Sequence, residues 1–520
     1  MKQVIGNTYK TVKGAKLVLG YIGLLMGLVG IIIGLPLFYM LFNKNEWNTN
    51  NALAFLIPSL LYMSIGFTLF FLFIFHKRPA KLARHQDAFI VMTCWLIAIL
   101  GSSAPFWISG KLTFSQAIYE MTSGWTTTGV SCWDFDNNPN SNCFLLARTN
   151  TMLFGGIGII LVMISLFSDR YGMSLYSAEG HSDRFIPNLL RSSRMILLIY
   201  LGMIFVAMIL FLIFGMNFFD AYNHAITCVA TGGFSTHKES LAFYQAINGY
   251  QTYQTYGIWI SSMIMMFAGS ISSISWVFLF RGNFKSFFKS TENRGHLLLI
   301  LIFVPLLFAG YNVYNAEKNL SSSWMDSFYY TFSAMTTCGF QINEFTVKTH
   351  SSIFILLTLL MLIGGQSNST SGGLKIIRLN ILFKSIFIRF KNTLTPSNTR
   401  HSYRIHVSGS YTYLDENMMH SNNIFVLLYI IIFIFGVVLF SYTGTNIELV
   451  AFEVSSMLAT TGLSTGILIP VMESQPFYYY LSSFIMIAGR LEIFVVFYSL
   501  IYCLYKPYKK IKNTLERRIR

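Results

Sequence analysis

The stretch "ATTGLSTG", residues 459–466, sets hydroxyl residues and glycines inside an otherwise apolar tract, where they neither bury well nor favour helix. It has three relatives upstream. In register they read "TTTGVS" (126–131), "ATGGFS" (230–235), "TTCGFQ" (336–341) and "ATTGLS" (459–464), and one glycine is common to all four: Gly129, Gly233, Gly339 and Gly462. Each copy follows a short amphipathic stretch, "FSQAIYEMTSGW" from Phe114, "FFDAYNHAITCV" from Phe218, "WMDSFYYTFSAM" from Trp324 and "IELVAFEVSSML" from Ile447. A dozen helical residues reach about 18 Å, too short for a hydrocarbon core of about 30 Å.

The tracts around these stretches are longer. Of 520 residues, 54% are hydrophobic and 11% charged, with mean hydropathy +0.54. Soluble domains carry roughly 25% charged residues, so the chain reads as an integral membrane protein. Ten candidate spanning segments begin near Leu17, Asn51, Ala88, Thr149, Met195, Tyr256, Leu297, Ser351, Asn423 and Phe477. The first runs to Phe42, longer than a secretory-signal core and with no small-residue cleavage site after it, so it reads as a retained transmembrane helix. A net charge of +16 raises the question of nucleic acid, but the basic residues sit in short connectors and are not interleaved with exposed aromatics, which argues against that partner. Taken in order, the segments place Lys2, Lys10, Lys13, Lys16, the loops 77–84, 170–194, 281–294 and 375–404, and the tail 506–520 on one side. Only Lys44, Lys111, Arg148, Lys238, Lys318, Lys348 and Arg490 lie elsewhere. By the positive-inside rule the basic side, with both termini, is cytoplasmic.

Each half-length stretch therefore lies between two spanning segments, on the side away from the basic loops. The unit is spanning helix, half-helix, glycine-containing extended segment, spanning helix. Four units use eight of the ten segments and predict an all-α polytopic membrane protein. It has an N-terminal transmembrane hairpin (1–84) and four pseudo-symmetric pore repeats (85–191, 192–292, 293–420, and 421–520 with the basic tail). One such copy alone would read as an extracellular turn. Four in register read differently, because non-helical backbone at membrane depth is tolerated only where protein buries it or where it lines a watery cavity. Four re-entrant hairpins meeting on a common axis enclose a pore. Glycine gives the backbone freedom to turn consecutive carbonyls toward that axis. Four sets of carbonyls can replace a cation's hydration shell, and the half-helices add the negative ends of their dipoles.

With these hairpins, "GGQSNSTSGGLKIIR" (364–378) and "GRLEIF" (489–494), the chain resembles the TrkH/KtrB superfamily of potassium transporters over nearly its whole length. The two additional N-terminal helices match the TrkH type. The resemblance implies a selectivity filter made of Thr127, Thr128, Gly129 and Val130; Thr231, Gly232, Gly233 and Phe234; Thr337, Cys338, Gly339 and Phe340; and Thr460, Thr461, Gly462 and Leu463. It also implies K+ as the transported ion, with no organic cofactor on this chain. Glycine in all four units goes with potassium preference in the superfamily, and serine in the first unit of plant relatives goes with sodium. This sequence departs at Gly232, where the family has threonine, and at Cys338 before the third glycine. A sodium- or proton-coupled cation symporter on the same scaffold is the alternative. A membrane-embedded enzyme using Arg490, Glu492 and His224 would need titratable residues clustered at one depth, which the sequence does not show. It carries no phosphate loop, dinucleotide fingerprint or catalytic triad.

The third unit holds a second anomaly. Its last segment begins near Ser351, yet the Gly/Ser-rich stretch starts at Gly364, after about 14 residues or roughly 20 Å of helix. The segment has not crossed the membrane, so loop 364–373 lies at membrane depth. A flexible linker would have that composition, but the flanks are apolar on both sides. The resemblance implies an intramembrane gate beneath the filter. In it Gly364, Gly365, Gly372 and Gly373 supply mobility, and Gln366, Ser367, Asn368, Ser369, Thr370 and Ser371 meet pore water. Arg490 is the third anomaly, a charge inside the last segment that costs about 2.5–3.5 kcal/mol on insertion scales. It pairs with Glu492, snorkels to an interface, or faces the pore below the filter. Residues two apart point to different faces of a helix, and the matching family motif implies the pore-facing position against the gate.

Glu120 and Glu453, in the first and fourth half-helices, either set the field near the filter or bond hairpin backbone. His224 is a packed, hydrogen-bonded residue or a proton-coupling one. Six cysteines show no CxxC pairing, which argues against a metal cluster. Cys132 and Cys143 share one connector and could form a disulfide in an oxidising compartment. The basic segment 375–404 continues from the gate loop and is a handle for regulation, or else serves anionic membrane lipid and topology alone. The resemblance implies a homodimer in the bacterial inner membrane, bound to a ring of cytosolic TrkA-type nucleotide-binding regulatory subunits.

Overall fold

Two apolar helices, Ala15–Phe42 and Thr49–Phe73, open the chain. The first is mostly buried, between the second and the helices that follow it, while Leu56, Ile57, Leu60 and Leu61 of the second are exposed, as suits a face toward hydrocarbon. The computed structural model describes residues 11–503 apart from 13, 44–45, 76–77, 80–85, 139–140, 159–160, 162–188, 246–247, 315–319, 344, 346–349, 396–402 and 408–409. Lys2, Lys10, Lys13, Lys44, Lys77, Lys318 and Lys348, the basic residues of 80–84 and 170–184, and the tail 506–520 lie outside the described residues.

A pattern of long helix, half-helix, glycine segment and second helix then occurs four times. The long helices are Gln86–Ile108, Leu189–Ile213, Thr291–Tyr314 and Glu416–Ser441. The half-helices are Phe114–Trp125, Phe218–Val229, Leu320–Met335 and Ile447–Leu458, of 12 residues each except the third, which has 16 because "LSSS" adds a turn before Trp324. Local chemistry starts them. Thr113 and Gln116 form a reciprocal capping box on the first, and the Asn217 side chain accepts from the Asp220 amide on the second. A half-helix is amphipathic because one side packs on long helices and the other faces its own re-entrant segment.

The second helices are all interrupted or short. Hydropathy predicts one span from Tyr256 and one from Phe477, but Thr252–Ser270 and Ser273–Phe280 meet at 103°, and Phe477–Arg490 and Ile493–Cys503 meet at 110°. Window averaging hides both breaks, since "GSISS" and "GRLE" are short polar runs in apolar surroundings. In the third copy Ser351–Ile363 stops at the loop, and Ile376–Leu394 resumes after it. The first copy is Asn142–Ile157, followed by Gly158 at φ +89°. Among the described residues six helices are continuous, long and apolar enough to span, or eight if each bent pair counts as one span, rather than ten unbroken segments.

On the basic side, Ile376–Leu394 carries an antiparallel hairpin, Arg404–Val407 with Ser410–Tyr413. Ile381, Ile405 and Leu414 form a small separate core there, and Lys384 Nζ donates to the Arg404 carbonyl at 3.0 Å. The chain is thus a multi-pass, all-α membrane protein with minor β-structure.

Candidate functional site

Each half-helix runs directly into its glycine segment through the same backbone turn. The amide of Thr128 donates to Ser123 O at 2.9 Å, Gly232 to Thr227 O at 2.8 Å, Cys338 to Ser333 O at 3.0 Å and Thr461 to Ser456 O at 2.8 Å. The next constraint is conformational. Thr127, Thr231, Thr337 and Thr460, each two residues before the shared glycine, have φ of 53°, 52°, 54° and 52°. For a β-branched residue this region is an outlier costing about 1–2 kcal/mol. Its fourfold recurrence means that the surroundings impose it.

The contacts of the glycines close a ring. A Cβ built on Gly129 would land on the carbonyl oxygen of Gly232, one on Gly233 on that of Cys338, one on Gly339 on that of Thr461, and one on Gly462 on that of Thr128. First covers second, second third, third fourth, and fourth first. Such a cycle closes only if the four segments stand around an axis in chain order with their carbonyls edge to edge. Side chains are packed away from it. Val130, Phe234, Phe340 and Leu463 are buried in the core, and the Cys338 thiol is turned to the carbonyls of Thr227 and Cys228 at 3.9 and 3.8 Å. Gly232 lacks a side chain because Met152 fills the place, its sulfur 2.6 Å from where a Cβ would sit. Thr127, Thr460 and Thr461 have buried hydroxyls with no hydrogen-bond partner among the described residues.

Two further columns of residues hold the segments. Six residues before the glycine stand Ser123, Thr227, Ser333 and Ser456. The Gly129 and Gly462 amides donate to Ser123 Oγ and Ser456 Oγ at 3.0 and 2.9 Å, and Ser333 Oγ donates to Phe340 O at 2.8 Å. Nine residues before the glycine stand Glu120, His224, Tyr330 and Glu453, and each braces the chain beyond the glycine. Glu120 accepts from Ser131 Oγ and the Cys132 amide and pairs with Arg148 at 2.6 Å. His224 Nε2 bonds Ser235 Oγ at 3.0 Å. Tyr330 donates to Asn343 O at 2.7 Å, and Glu453 accepts from Ser464 Oγ and the Thr465 amide. Cys132 and Cys143 are both free buried thiols, so the suggested disulfide is absent: the Cys132 sulfur faces Glu120 at 3.5 Å.

Loop 364–373 sits against the inner end of this ring. Gly372 N donates to Thr337 Oγ1 at 2.7 Å, and the Thr370 hydroxyl is 3.0 Å from both Val229 O and Gly269 O. Gln366 accepts from the Ser272 amide at 3.0 Å and donates to Asn293 Oδ1 at 2.6 Å, beside His296; Ser367 N donates to Glu292 at 2.7 Å. Ser273 N donates to Asn368 O at 3.2 Å, and Ser369 and Ser371 bond each other at 2.6 Å. The loop is pinched at its neck, where Gly364 and Gly373 pack backbone on backbone and the Ile376 amide donates to Gly365 O. Arg490 reaches the loop from the fourth copy. Its Nη1 donates to Thr370 O at 2.6 Å and its Nη2 to Gly155 O and Gly156 O at 2.9 and 3.1 Å. Glu492, past the helix break, pairs instead with Arg378 at 2.6 Å, and the Arg378 guanidinium lies 3.8 Å over the Phe425 ring.

The sequence matches the TrkH family, described as cation transport proteins, over residues 55–501. The chain belongs to the TrkH family. Among curated relatives of this TrkH-family chain, the Trk system potassium uptake protein TrkG of Escherichia coli K12 is 27% identical, covering 91% of this chain and 95% of the relative. The Trk system potassium uptake protein TrkH of the same strain is also 27% identical, over 81% and 86% of the two chains. The crystal structure of the potassium transporter TrkH from Vibrio parahaemolyticus aligns with TM-score 0.78 over 93% of this chain and 98% of that one, at 21% identity, which carries the fold. Sequence reading of this TrkH-family member singled out the glycine segments, the loop and Arg490. It missed Arg148, Tyr330, Met152 and the serines of the inner column. Aligning the half-helices on the glycine, rather than reading each alone, exposes both columns.

Proposed function

We propose that the chain is a potassium uptake protein of a bacterial inner membrane. It conducts K+ through a filter built from the Gly129, Gly233, Gly339 and Gly462 segments, and loop 364–373 with Arg490 is its gate. The observation that carries this reading is the cycle in which each glycine is covered by the next segment's carbonyl. Neutral oxygens fixed around an axis offer a bare monovalent cation a substitute for water, at no cost in reorganisation. The relatives described as potassium uptake proteins support K+ as the ion.

The closed state is held by hydrogen bonds rather than by bulk. Arg490 ties Thr370 to Gly155 and Gly156, so one guanidinium spans three of the four repeats. Conduction requires the Thr370 contact to break and the loop to leave the axis. Segment 375–404, continuous with the loop, is the place for regulation by cytosolic TrkA-type nucleotide-binding subunits, and the chain acts as a homodimer with both termini in the cytoplasm. Repeat boundaries at 85–191, 192–292, 293–420 and 421–520 follow from the same reading.

The test is rescue of potassium-uptake-deficient cells at low external potassium by the chain with its regulatory subunit, repeated with Gly129→Ser and Gly462→Ser. Wild type should rescue, and both serines should lose rescue or admit sodium. Failure of expressed, folded wild type overturns the transport reading, and unchanged cation selectivity in both variants overturns the filter assignment.

A further inference from the structure

A cavity of about 410 Å³ lies on the basic side of loop 364–373. The loop is its roof, and Ile405 and Thr412 of the hairpin line it from the other end. Three cationic side chains line this space, Lys375, Arg378 and Arg490, against one carboxylate, Glu492, and that carboxylate is already paired with Arg378. The Lys375 ammonium donates to a neutral acceptor, the carbonyl of Ser371 in the loop. Trp95 and Tyr429 line the same cavity. Each is 2% exposed, and the Trp95 Nε1 and the Tyr429 hydroxyl have no hydrogen-bond partner among the described residues. Buried donors without acceptors are costly, and so is surplus positive charge out of bulk water. A cation relieves neither. An anion bearing several acceptor oxygens relieves both, and the volume falls in the range of small-molecule sites, about 300–1,000 Å³.

We propose that this cavity binds a phosphate-class oxyanion from the cytosol, with Lys375, Arg378, Tyr429 and Trp95 as its donors. The inference rests on the proposed gate for its consequence: Lys375 turned onto the anion lets go of Ser371 O, which loosens one tether of the loop. The anion's charge also lowers the barrier that three cations raise against potassium. Occupancy therefore favours conduction.

Full-length protein in neutral detergent, titrated calorimetrically with pyrophosphate and with inorganic phosphate, should show saturable binding at one site per chain. Lys375→Gln should weaken it about tenfold or more, and Tyr429→Phe about three- to tenfold, the range expected for charged and neutral hydrogen bonds. Tyr429→Phe removes a hydroxyl that has no partner among the described residues, so its melting temperature should stay level or rise. No saturable binding at millimolar anion, or binding that both variants keep unchanged, overturns the proposal; the latter result would mark an adventitious ion only. Nanodiscs of phosphatidylcholine with or without phosphatidylglycerol separate a lipid headgroup from a soluble anion. Stabilisation by phosphatidylglycerol that Lys375→Gln abolishes, with no soluble binding, assigns the site to lipid and also overturns it. In proteoliposomes, pyrophosphate on the cytosolic face should raise potassium flux through wild type more than through Tyr429→Phe. Binding that survives without any potassium flux supports the site and counts against the transport reading alone.

Discussion

Replacing Arg490 by alanine should open the pathway, and the size of the effect follows from which of its contacts the closed loop alone supplies. Gly155 and Gly156 belong to the wall, so their bonds to Nη2 are kept whether the loop is in place or not. The 2.6 Å bond from Nη1 to Thr370 O exists only when the loop is under the ring. A hydrogen bond to a charged group is worth about 1.5–3 kcal/mol net, so its loss shifts the closed-to-open ratio about 10- to 150-fold. The loop keeps other ties, Gly372 N to Thr337 Oγ1 and the Gln366 bonds among them, so closure is loosened rather than abolished. Arg490→Lys separates the two ways an arginine can block a cation path. Lysine keeps the charge, but its compact ammonium cannot span carbonyls on two elements as a planar guanidinium does. If the clamp holds the gate, the lysine variant moves most of the way to alanine; if the field alone holds it, lysine stays near wild type. Rubidium tracer uptake into proteoliposomes, scaled to monodisperse folded protein, measures both. Alanine flux equal to or below wild type refutes the reasoning.

Three other outcomes are expected. Glu453→Ala leaves the Ser464 hydroxyl and the Thr465 amide without their acceptor and should cost about 2–3 kcal/mol of stability, read as a lower melting temperature, whereas Glu453→Gln should cost less than half of that. Gly232→Thr, which restores the family residue, should impair folding because Met152 occupies the space, and Met152→Ala should rescue it; additive effects in the double-mutant cycle would count against that packing. Denatured protein prepared without reductant should expose all six thiols to alkylation, and a mass lower by two alkyl groups would reveal a Cys132–Cys143 bond.

How much the sequence disclosed depended on repetition. The shared glycine was legible because four copies align, and the depth of loop 364–373 was legible because Ser351–Ile363 is too short to cross. The positive φ of Thr127 and its three counterparts left no trace, since threonine gives no sign of that conformation and only the neighbouring segments enforce it. Both helix breaks were hidden for a related reason: Ser270–Ser272 and Leu491 are unremarkable locally, and at the first break the polar partners that satisfy the freed backbone, Gln366 and Asn368, come from the loop of another repeat. The Glu453 brace was one of two open readings, and its hydrogen bonds to Ser464 and Thr465 are now explicit. The Arg490 alternatives turned on a helix that continues through Glu492, whereas the helix ends at Arg490 and Glu492 has φ +58°.

The order in which the glycines cover one another bears on how the chain can be made without harm to its host. The seat at Gly462 is filled by Thr128, from the opposite end of the pore region, so no subset of the repeats possesses a finished ring. A chain emerging from the ribosome holds an open arc until its last hairpin is inserted. That final contact is the most distant in sequence and the most expensive in loop entropy. On the proposed reading, a chain that ends before residue 462 lacks the fourth wall and has no complete filter, so a finished ring is never without loop 364–373, the element proposed to shut it.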